Sequence, residues 1–259
     1  MKIALFSDIH ANLPALEVVL EDMDKRQPDA IYCLGDLVGY APWPNEVIVE
    51  IRKRHIPALA GNYDEGIGKN SEDCGCAYKT DEEKTMGAVS IAYTNQIVKE
   101  EERTYLRALP RHIRIEFEIA GEKEKFQVLL VHGSPRRINE YLFEDRPEKS
   151  LLRIMQEAHA DVMFFGHTHQ PYHKKLSDTV SENDVFRHAI NIGSVGKPKD
   201  GDARACYVML HIDHTINRTD PASFQVEFIR IPYDVEKAAK AIEDSPLPDK
   251  YADMLRKAY

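Results

Sequence analysis

Short apolar runs that stop abruptly at a polar residue or a glycine are the feature that most restricts how this chain can fold. Six such runs occur, at residues 2–8, 30–36, 56–62, 126–133, 161–167 and 188–194. Continuous apolar runs of this length are typical of β-strands buried on both faces, because a strand with one solvent-exposed face alternates apolar and polar residues. The runs therefore predict a sheet that is covered on both sides.

Helical patterns separate several of these predicted strands. Asn12, which favours the N-cap position, precedes Leu13, Leu16 and Leu20, whose spacing places them on one helix face. Further helices are predicted at 45–55, 148–160 and within 82–109. Two hairpins are predicted where runs of alternating residues meet, near 112–133 and near 205–233. The order of elements is typical of an α/β fold.

The absence of any repeat or obvious linker predicts one domain over residues 1–259. We expect this domain to carry a helical and loop insertion near 65–110 and a helical tail near 234–259. Within the insertion, Cys74 and Cys76 are too closely spaced for an ordinary zinc-binding pair, and no second pair accompanies them. A loop with two free thiols is the simpler interpretation, with a redox or metal role as the alternative.

The charge balance limits the partners of the chain. It carries 34 Lys and Arg against 43 Asp and Glu, which gives a net charge of -9 and argues against salt-driven binding to long nucleic acid. No apolar run approaches the roughly 20 residues that a membrane helix needs, and the N-terminus turns polar too soon for a signal peptide. We expect a cytoplasmic protein with no membrane partner, and the sequence leaves homo-oligomerisation open.

Residues that can bind metal end five successive predicted strands. They are Asp8 with His10, Asp36, Asn62, His132, and His167 with His169. Each feature alone is weak, because Asp and Asn are common in turns. Together they would meet at one edge of an α/β sheet, where the carboxyl ends of strands bind ligands. Mixed imidazole and carboxylate groups suit Mn, Fe, Zn, Ni or Co, and seven groups suit two ions about 3.5–4 Å apart.

This ordered set of Asp-x-His, Gly-Asp, Gly-Asn-x-Asp, His-Gly and Gly-His-Thr-His resembles the motifs of the calcineurin-like metallophosphoesterase superfamily, from residue 1 to about 206. The segments DLVGYAPWPNEV and NIGSVGKPKDGDARACY are similar to the small bacterial branch that includes YfcE-type phosphodiesterases. The resemblance implies a four-layer αββα sandwich of two mixed β-sheets flanked by helices, with the metal site at the strand ends.

The resemblance also implies a ligand assignment and an activity. The first metal would be held by Asp8, His10, Asp36 and His169, and the second by Asp36, Asn62, His132 and His167. The implied reaction is hydrolysis of a small phosphodiester, nucleotide-like or aryl, by attack of a metal-bound hydroxide, with Mn as the favoured ion. The alternatives are a phosphomonoesterase or protein phosphatase, a nuclease, and a catalytically weak phosphate-binding scaffold.

One position departs from the family pattern. The family's Gly-Asn-His-Asp/Glu motif is GNYD here, so that Tyr63 replaces the histidine thought to protonate the leaving group. A phenol with a pKa of about 10 gives up its proton less readily than imidazolium. We therefore predict weak protonation by Tyr63 or by water, unless Tyr63 only packs over the site. Asp64 would cap the following turn or bond to a ligand, and His188 is a further candidate for the acid.

Three residues outside the metal motifs are candidates for contact with the substrate. Asn12 follows the first motif, although its N-cap role alone would explain it. Tyr40 lies on the loop after Asp36, and Ser194 lies in a glycine-containing loop whose backbone amides suit an anion. The substrate that would lie against them is a small phosphate ester.

Overall fold

The computed structural model of the chain describes residues 1–119, 124–178, 185–212 and 215–259. In these ranges the strands are β1 (Lys2–Phe6), β2 (Ala30–Cys33), β3 (His112–Phe117), β4 (Phe126–Val131), β5 (Val162–Phe165), β6 (Tyr172–Asp178), β7 (Val185–Asn191), β8 (Ala205–His211) and β9 (Gln225–Ile231). The helices are α1 (Leu13–Arg26), α2 (Pro44–Lys53), α3 (Asn62–Gly68), α4 (Asp81–Ile97), α5 (Glu100–Ala108), α6 (Glu148–Glu157), α7 (Val235–Glu243) and α8 (Lys250–Lys257). None of these helices combines the length and the apolar character needed to cross a membrane.

The strands form two mixed sheets. The first has the order β2-β1-β8-β9, in which β1 runs parallel to β2 and antiparallel to β8. The second has the order β3-β4-β5-β7-β6, with β4, β5 and β7 parallel and the two edge strands antiparallel. The predicted class of two mixed β-sheets flanked by helices is confirmed.

Burial on both faces explains why the predicted strands are continuously apolar. On β1, Ile3 and Leu5 belong to the core that lies between the two sheets and includes Phe164 of β5. The alternate residues Ala4 and Phe6 belong to the core on the outer side, with residues of α1 and α2. The outer face of the second sheet packs on α6 in a third core. The layers therefore run helix, sheet, sheet, helix.

The structure differs from the sequence prediction at three elements. Residues 56–62 were predicted as a strand but form a single bridge, between Cys33 and Ala58, because the backbone then turns to Pro110, whose carbonyl accepts from Ala60 N. Helix α3 and the polar edge strand β6 were not predicted. The turn of the first hairpin falls partly on 120–123, outside the described residues.

The C-terminal helices pack beside the strand ends. Residues of α7 and α8, among them Ile242, Tyr251 and Leu255, form a small core with Ala41 and Met86. The amide of Gly201 donates to the carbonyl of Ala258 at 2.9 Å, which ties the end of α8 to the loop before β8. The tail thereby forms one wall of the region onto which the strands point.

Candidate metal centre

The seven predicted ligands converge where β1, β2, β4 and β5 end, and all of them are at most 4% exposed. They form two groups in which the candidate ligand atoms lie within 4.8 Å of one another, one of Asp8, His10 and His169 and the other of Asp36, His132 and His167. Asn62, at the start of α3, lies beside the second group, with its Oδ1 at 3.2 Å from His132 Nε2. The folded chain therefore brings together all the residues that the sequence singled out.

The carboxylate of Asp36 lies between the two groups. Its Oδ2 is 3.5 Å from His10 Nε2 in the first group and 3.3 Å from His132 Nε2 in the second. Asp8 Oδ1 is 3.2 Å from His169 Nε2 and 4.0 Å from His132 Nε2. A carboxylate placed between the two groups in this way would be able to contribute to both of them if each held a metal ion.

Backbone carbonyls orient three of the histidines. The Nδ1 atoms of these rings bond to carbonyl oxygens, joining His10 to Val38 (3.0 Å), His132 to Leu34 (2.8 Å) and His169 to Lys197 (2.6 Å). Only a protonated Nδ1 can donate to a carbonyl, so in a neutral ring the lone pair resides on Nε2. The fold thus presents Nε2 of each ring for metal binding, with the supporting hydrogen bond that metal-binding histidines normally have.

Several polar atoms of the centre have no hydrogen-bond donor to pair with among the residues described, and a bound cation would satisfy them. His10 Nε2 and His169 Nε2 are 3.1 Å apart, and with both Nδ1 atoms donating to carbonyls their lone pairs face each other. Asp8 Oδ1 and His167 Nε2 are buried without a hydrogen-bond partner in the described part of the chain. Such groups are costly when unsatisfied. The residues present therefore fit divalent metal ions with nitrogen and oxygen ligands.

Burial controls the protonation of the centre. It lowers the pKa of His10 and of His167 to about 3, so that both rings are neutral, which is the form that binds metal. It raises the pKa of the Asp8 carboxyl, a penalty that a bound cation would reverse. Asp36 and His132 behave differently, because the attraction between the carboxylate and the imidazolium outweighs the cost of burying their charges. This attraction raises the pKa of His132 and lowers that of Asp36.

The loop that contains the two adjacent cysteines orients Asn62. The Asn62 Nδ2 donates to Cys74 O at 2.8 Å and contacts Cys76 Sγ at 3.4 Å. These contacts fix the amide so that its oxygen points to the metal centre. Both cysteines are free thiols, as predicted, and the loop has a positioning role that the sequence did not reveal.

The ligands are held in an uncommon backbone conformation. Positive φ angles occur at Asp8 (54°), His10 (49°), Asp36 (53°), His167 (66°) and His169 (61°). For residues with a Cβ this region costs on the order of 1–3 kcal/mol each, and strain of this kind clusters at functional sites. Gly61 shows how closely the surroundings pack, because a Cβ there would lie 2.1 Å from Asp36 Oδ1.

Tyr63 and Asp64, predicted as catalytic residues, do not face the solvent side of the centre. Tyr63 is 1% exposed, its ring lies 5.5 Å from the His10 ring between centroids, and its hydroxyl has no hydrogen-bond partner among the described residues. Burial raises its pKa well above the ordinary value. Asp64 accepts from the amides of Leu37 and Gly61, both at 2.9 Å, so it holds the loops together. The packing interpretation of Tyr63 is the one the geometry favours.

His188, the other candidate for the acid, is also remote from the centre. It pairs with Val162 at the start of β5, whereas the metal ligands follow Phe165 at the end of that strand. Its ring contacts His173, with Nε2 of His173 at 2.9 Å from its Nδ1, and the ring of Phe224. His188 therefore lies at the other end of β5 from the candidate ligands, and this geometry does not support a role as the acid.

Of the three predicted substrate contacts, Asn12 and Ser194 are buried in the protein, whereas Tyr40 lines a cavity. Asn12 caps α1 through Ala15 N, and its Nδ2 donates both to Gly196 O and to the Tyr233 hydroxyl, so that its two amide hydrogens are already engaged. The Ser194 hydroxyl donates to Asp8 O and accepts from Lys197 N, which makes it a support for the ligand loops. Both side chains are therefore engaged within the protein and offer no free group to a substrate. Contact of a substrate with the backbone amides of the Ser194 loop stays a prediction.

Tyr40, the third, lines a cavity of about 510 Å³ that borders the metal centre. Its ring is 4.8 Å from the His10 ring, and on another wall the ring of Tyr141 is 4.1 Å from that of His167. Lys197 and Lys199 also line this cavity, and the sequence analysis missed them. The only signal for them was their place in the loop that follows the last parallel strand.

Comparisons with known proteins agree on one family. Residues 1–215 match a family model described as the calcineurin-like phosphoesterase superfamily domain. An uncharacterized protein from Methanocaldococcus jannaschii is 34% identical over 263 residues, which cover 98% of this chain and 96% of that protein. The crystal structure of a metallophosphoesterase from Sphaerobacter thermophilus superposes with a TM-score of 0.73 at 28% identity, covering 100% of this chain and 99% of the other.

A hypothetical protein from Pyrococcus horikoshii has the same fold, with a TM-score of 0.75 at 22% identity over 100% of this chain and 98% of its own.

Proposed function

The chain belongs to the calcineurin-like phosphoesterase superfamily, and we propose that it hydrolyses small phosphodiesters, nucleotide-like or aryl, with two adjacent divalent metal ions. The observation that carries this proposal is the place of Asp36, whose Oδ2 lies within 3.5 Å of a histidine Nε2 in each of the two ligand groups. Mn is the ion we would load first, because imidazole and carboxylate ligands together suit it.

The residues of the chain orient and shield the reaction. Divalent ions, when bound here, supply Lewis acidity toward phosphate oxygens and a nucleophilic water near neutral pH. Backbone carbonyls fix the ligand histidines, and the loop of Cys74 and Cys76 fixes Asn62. Because the ligands are pre-positioned and buried, little reorganisation is needed when a phosphate group arrives.

Protonation of the leaving group falls to water in this proposal. Tyr63 occupies the position of the family histidine, but its side chain is not part of the cavity wall and its hydroxyl is buried. Leaving groups that need no proton, such as p-nitrophenolate, should therefore depart far faster than alkoxides.

The proposal places the enzyme in the cytoplasm, because all four cysteines are free thiols and such a state suits a reducing compartment. No second copy of the chain is required, since every proposed ligand comes from one chain.

The test is hydrolysis of bis-p-nitrophenyl phosphate compared with p-nitrophenyl phosphate. Metal-stripped protein is reloaded with Mn, Ni, Co, Zn or Mg, and Asp36→Ala serves as the inactive variant. Asp202→Ala is the matched control, because Asp202 is a surface partner of Arg204 away from the ligands. Metal-dependent cleavage that favours the diester and disappears only in Asp36→Ala supports the proposal.

Two other results would replace it. A preference for the monoester would indicate a phosphomonoesterase or protein phosphatase at the same site. Two ions bound per chain without turnover of either ester would indicate a phosphate-binding scaffold.

A further inference from the structure

The cavity beside the metal centre contains a buried lysine side chain without an anionic partner among the described residues. Lys197 is 4% exposed and lines the cavity. Its Nζ contacts Met254 Sδ at 3.6 Å and lies 5.0 Å and 5.9 Å from the ring centres of Tyr40 and Tyr251. Among the described residues no carboxylate oxygen lies within ion-pair distance of it. Burial lowers the pKa of Lys197 well below its ordinary value, because a buried ammonium group is costly unless it is paired. An anion bound beside it would favour the charged form, so this position is suited to a negative ligand.

The position of this lysine is fixed relative to the metal centre. Its carbonyl accepts from His169 Nδ1 at 2.6 Å, and its amide donates to Ser194 Oγ at 2.8 Å. Lys199, two residues later, donates from its amide to His169 O at 3.3 Å and lines the same cavity. No ion pair of Lys199 occurs in the described ranges either. Two lysines are therefore anchored beside a ligand of the first group, and both reach into the cavity.

The same cavity is also lined by a stack of aromatic rings. Tyr141 lies 4.1 Å from the ring of His167, between centroids, and Phe143 stacks on Tyr141 at 5.6 Å with an interplanar angle of 12°. Phe143 is 41% exposed although it is a large apolar residue. A planar aromatic group that enters the cavity can extend this stack, which suits any nucleobase because every base has a π-face.

We propose that the cavity selects phosphodiesters in which a nucleoside carries a second phosphate. The base stacks on Tyr141 and Phe143, the scissile phosphate lies at the metal centre, and the second phosphate lies between the ammonium groups of Lys197 and Lys199. Two ammonium groups match the double charge of a terminal phosphate. This inference rests on the proposed function and adds the substrate class to it.

The experiment compares two substrates that differ only in the second phosphate. They are thymidine 5′-(p-nitrophenyl phosphate) and the same compound with a 3′-phosphate, which share the scissile bond and the leaving group. For the metal-loaded enzyme we expect a kcat/KM at least about tenfold higher for the 3′-phosphorylated ester, since a buried charge pair is commonly worth that much.

The variants remove one charge at a time. In Lys197→Met, and in Lys199→Met as the less buried second variant, the ratio of the two kcat/KM values should fall toward one. Lys250→Met is the matched control, because Lys250 also borders the cavity but its Nζ is already paired with Glu82 at 2.7 Å. That variant should keep the wild-type ratio. The metal content of each variant is measured to exclude an effect on the ligands.

The contribution of the aromatic stack of Tyr141 and Phe143 is measured with a separate pair of substrates. Phe143→Ala should lower kcat/KM for the thymidine ester several-fold, on the order of one stacking interaction, relative to methyl p-nitrophenyl phosphate, which carries no base.

A binding measurement separates this inference from the proposed function. Calorimetry on the metal-loaded protein compares thymidine 3′,5′-bisphosphate with thymidine 5′-monophosphate. If neither diester is cleaved but the bisphosphate binds about tenfold more tightly in a manner that depends on Lys197, the anion site is supported and the phosphodiesterase proposal fails. If both diesters are cleaved equally and both nucleotides bind equally, the anion site is overturned while the phosphodiesterase stands.

Discussion

At the scale of single residues, Asp36 is the side chain on which both ligand groups depend. Asp36→Asn keeps the size and removes the charge, and we expect it to lower hydrolysis of an aryl diester by at least about a hundredfold, since residues that merely support metal ligands commonly contribute roughly 10–100-fold. The measurement is kcat/KM together with metal content by mass spectrometry. Asp202→Asn, a change in an exposed ion pair, should stay within about twofold of the wild type.

Full activity and two ions per chain in the Asp36 variant would show that the metals are held in another way.

Removal of the Tyr63 hydroxyl provides the second prediction at this scale. That oxygen is buried without a hydrogen bond to a described residue, so Tyr63→Phe removes an unsatisfied polar atom. We expect rates within about twofold of the wild type, and a free energy of unfolding unchanged or higher by up to about 1 kcal/mol. Rates are measured on aryl and on alkyl phosphodiesters.

A general acid commonly contributes a factor of about 10²–10⁴. A loss of that size in Tyr63→Phe, confined to the alkyl ester, would restore Tyr63 as the proton donor.

Single residues also show what the sequence could reveal and what it could not. The seven ligands were predictable because their order along the chain carries the motif, and a strand end fixes where each lies. The sequence does not show that the side chains of Asn12 and Ser194 are already engaged within the protein, and their contact with a substrate stays a prediction. Lys197 was missed although it lies in the segment that resembles the family and three residues after Ser194, because lysines are almost never buried and its burial could not be expected from the sequence.

At the scale of secondary-structure elements, β6 and β7 carry a histidine pair in which His188 is buried and His173 is half-buried. Burial lowers the pKa of His188 to about 3 and that of His173 to about 4. Because both values lie below the usual 6.5, the unfolded chain takes up protons first as the pH falls. The free energy of unfolding therefore has its full value above pH 6.5 as far as these two histidines are concerned, and it falls progressively toward pH 3.

We expect His188→Leu to flatten the pH dependence of unfolding between pH 7 and pH 5. One proton taken up only by the unfolded chain changes the free energy by about 1.4 kcal/mol per pH unit. The measurement is urea unfolding at several pH values. Ile190→Val on the same strand is the control, since its cost of about 1 kcal/mol should not vary with pH. An unchanged slope in His188→Leu would mean that the pair is not kept neutral.

Helix α3 and strand β6 were not predicted, and each has a local explanation. Helix α3 begins inside a Gly-Asn segment that suggests a turn, and it forms because Asp64 accepts from the amide of Gly61 and closes the first turn. Strand β6 contains His173, Lys174 and Lys175, since an edge strand has one side exposed and needs no continuous apolar run. The buried parallel strands left no such ambiguity.

At the scale of the whole molecule, the metal centre joins the two sheets. The first group contains Asp8 after β1 of one sheet and His169 after β5 of the other. Bound metal should therefore stabilise the entire fold. At a free concentration of about 100 times the dissociation constant we expect about 2.7 kcal/mol, which corresponds to a rise in Tm of roughly 5–10 °C.

Differential scanning fluorimetry of metal-stripped protein with added Mn measures this rise, and Asp36→Asn should show a clearly smaller one. Equal shifts in both proteins would mean that the ion binds elsewhere.

The spread of the ligands along the chain also sets the timing of metal acquisition during protein synthesis. The earliest ligand is residue 8 and the latest is residue 169, whose ring is oriented by the carbonyl of Lys197. A ribosome that adds about 5–20 residues per second reaches His10 within a second of Asp8 but needs roughly 8–32 seconds to reach His169. A nascent chain that has not reached these residues therefore lacks a complete ligand group. We expect metal selection to take place in the finished protein.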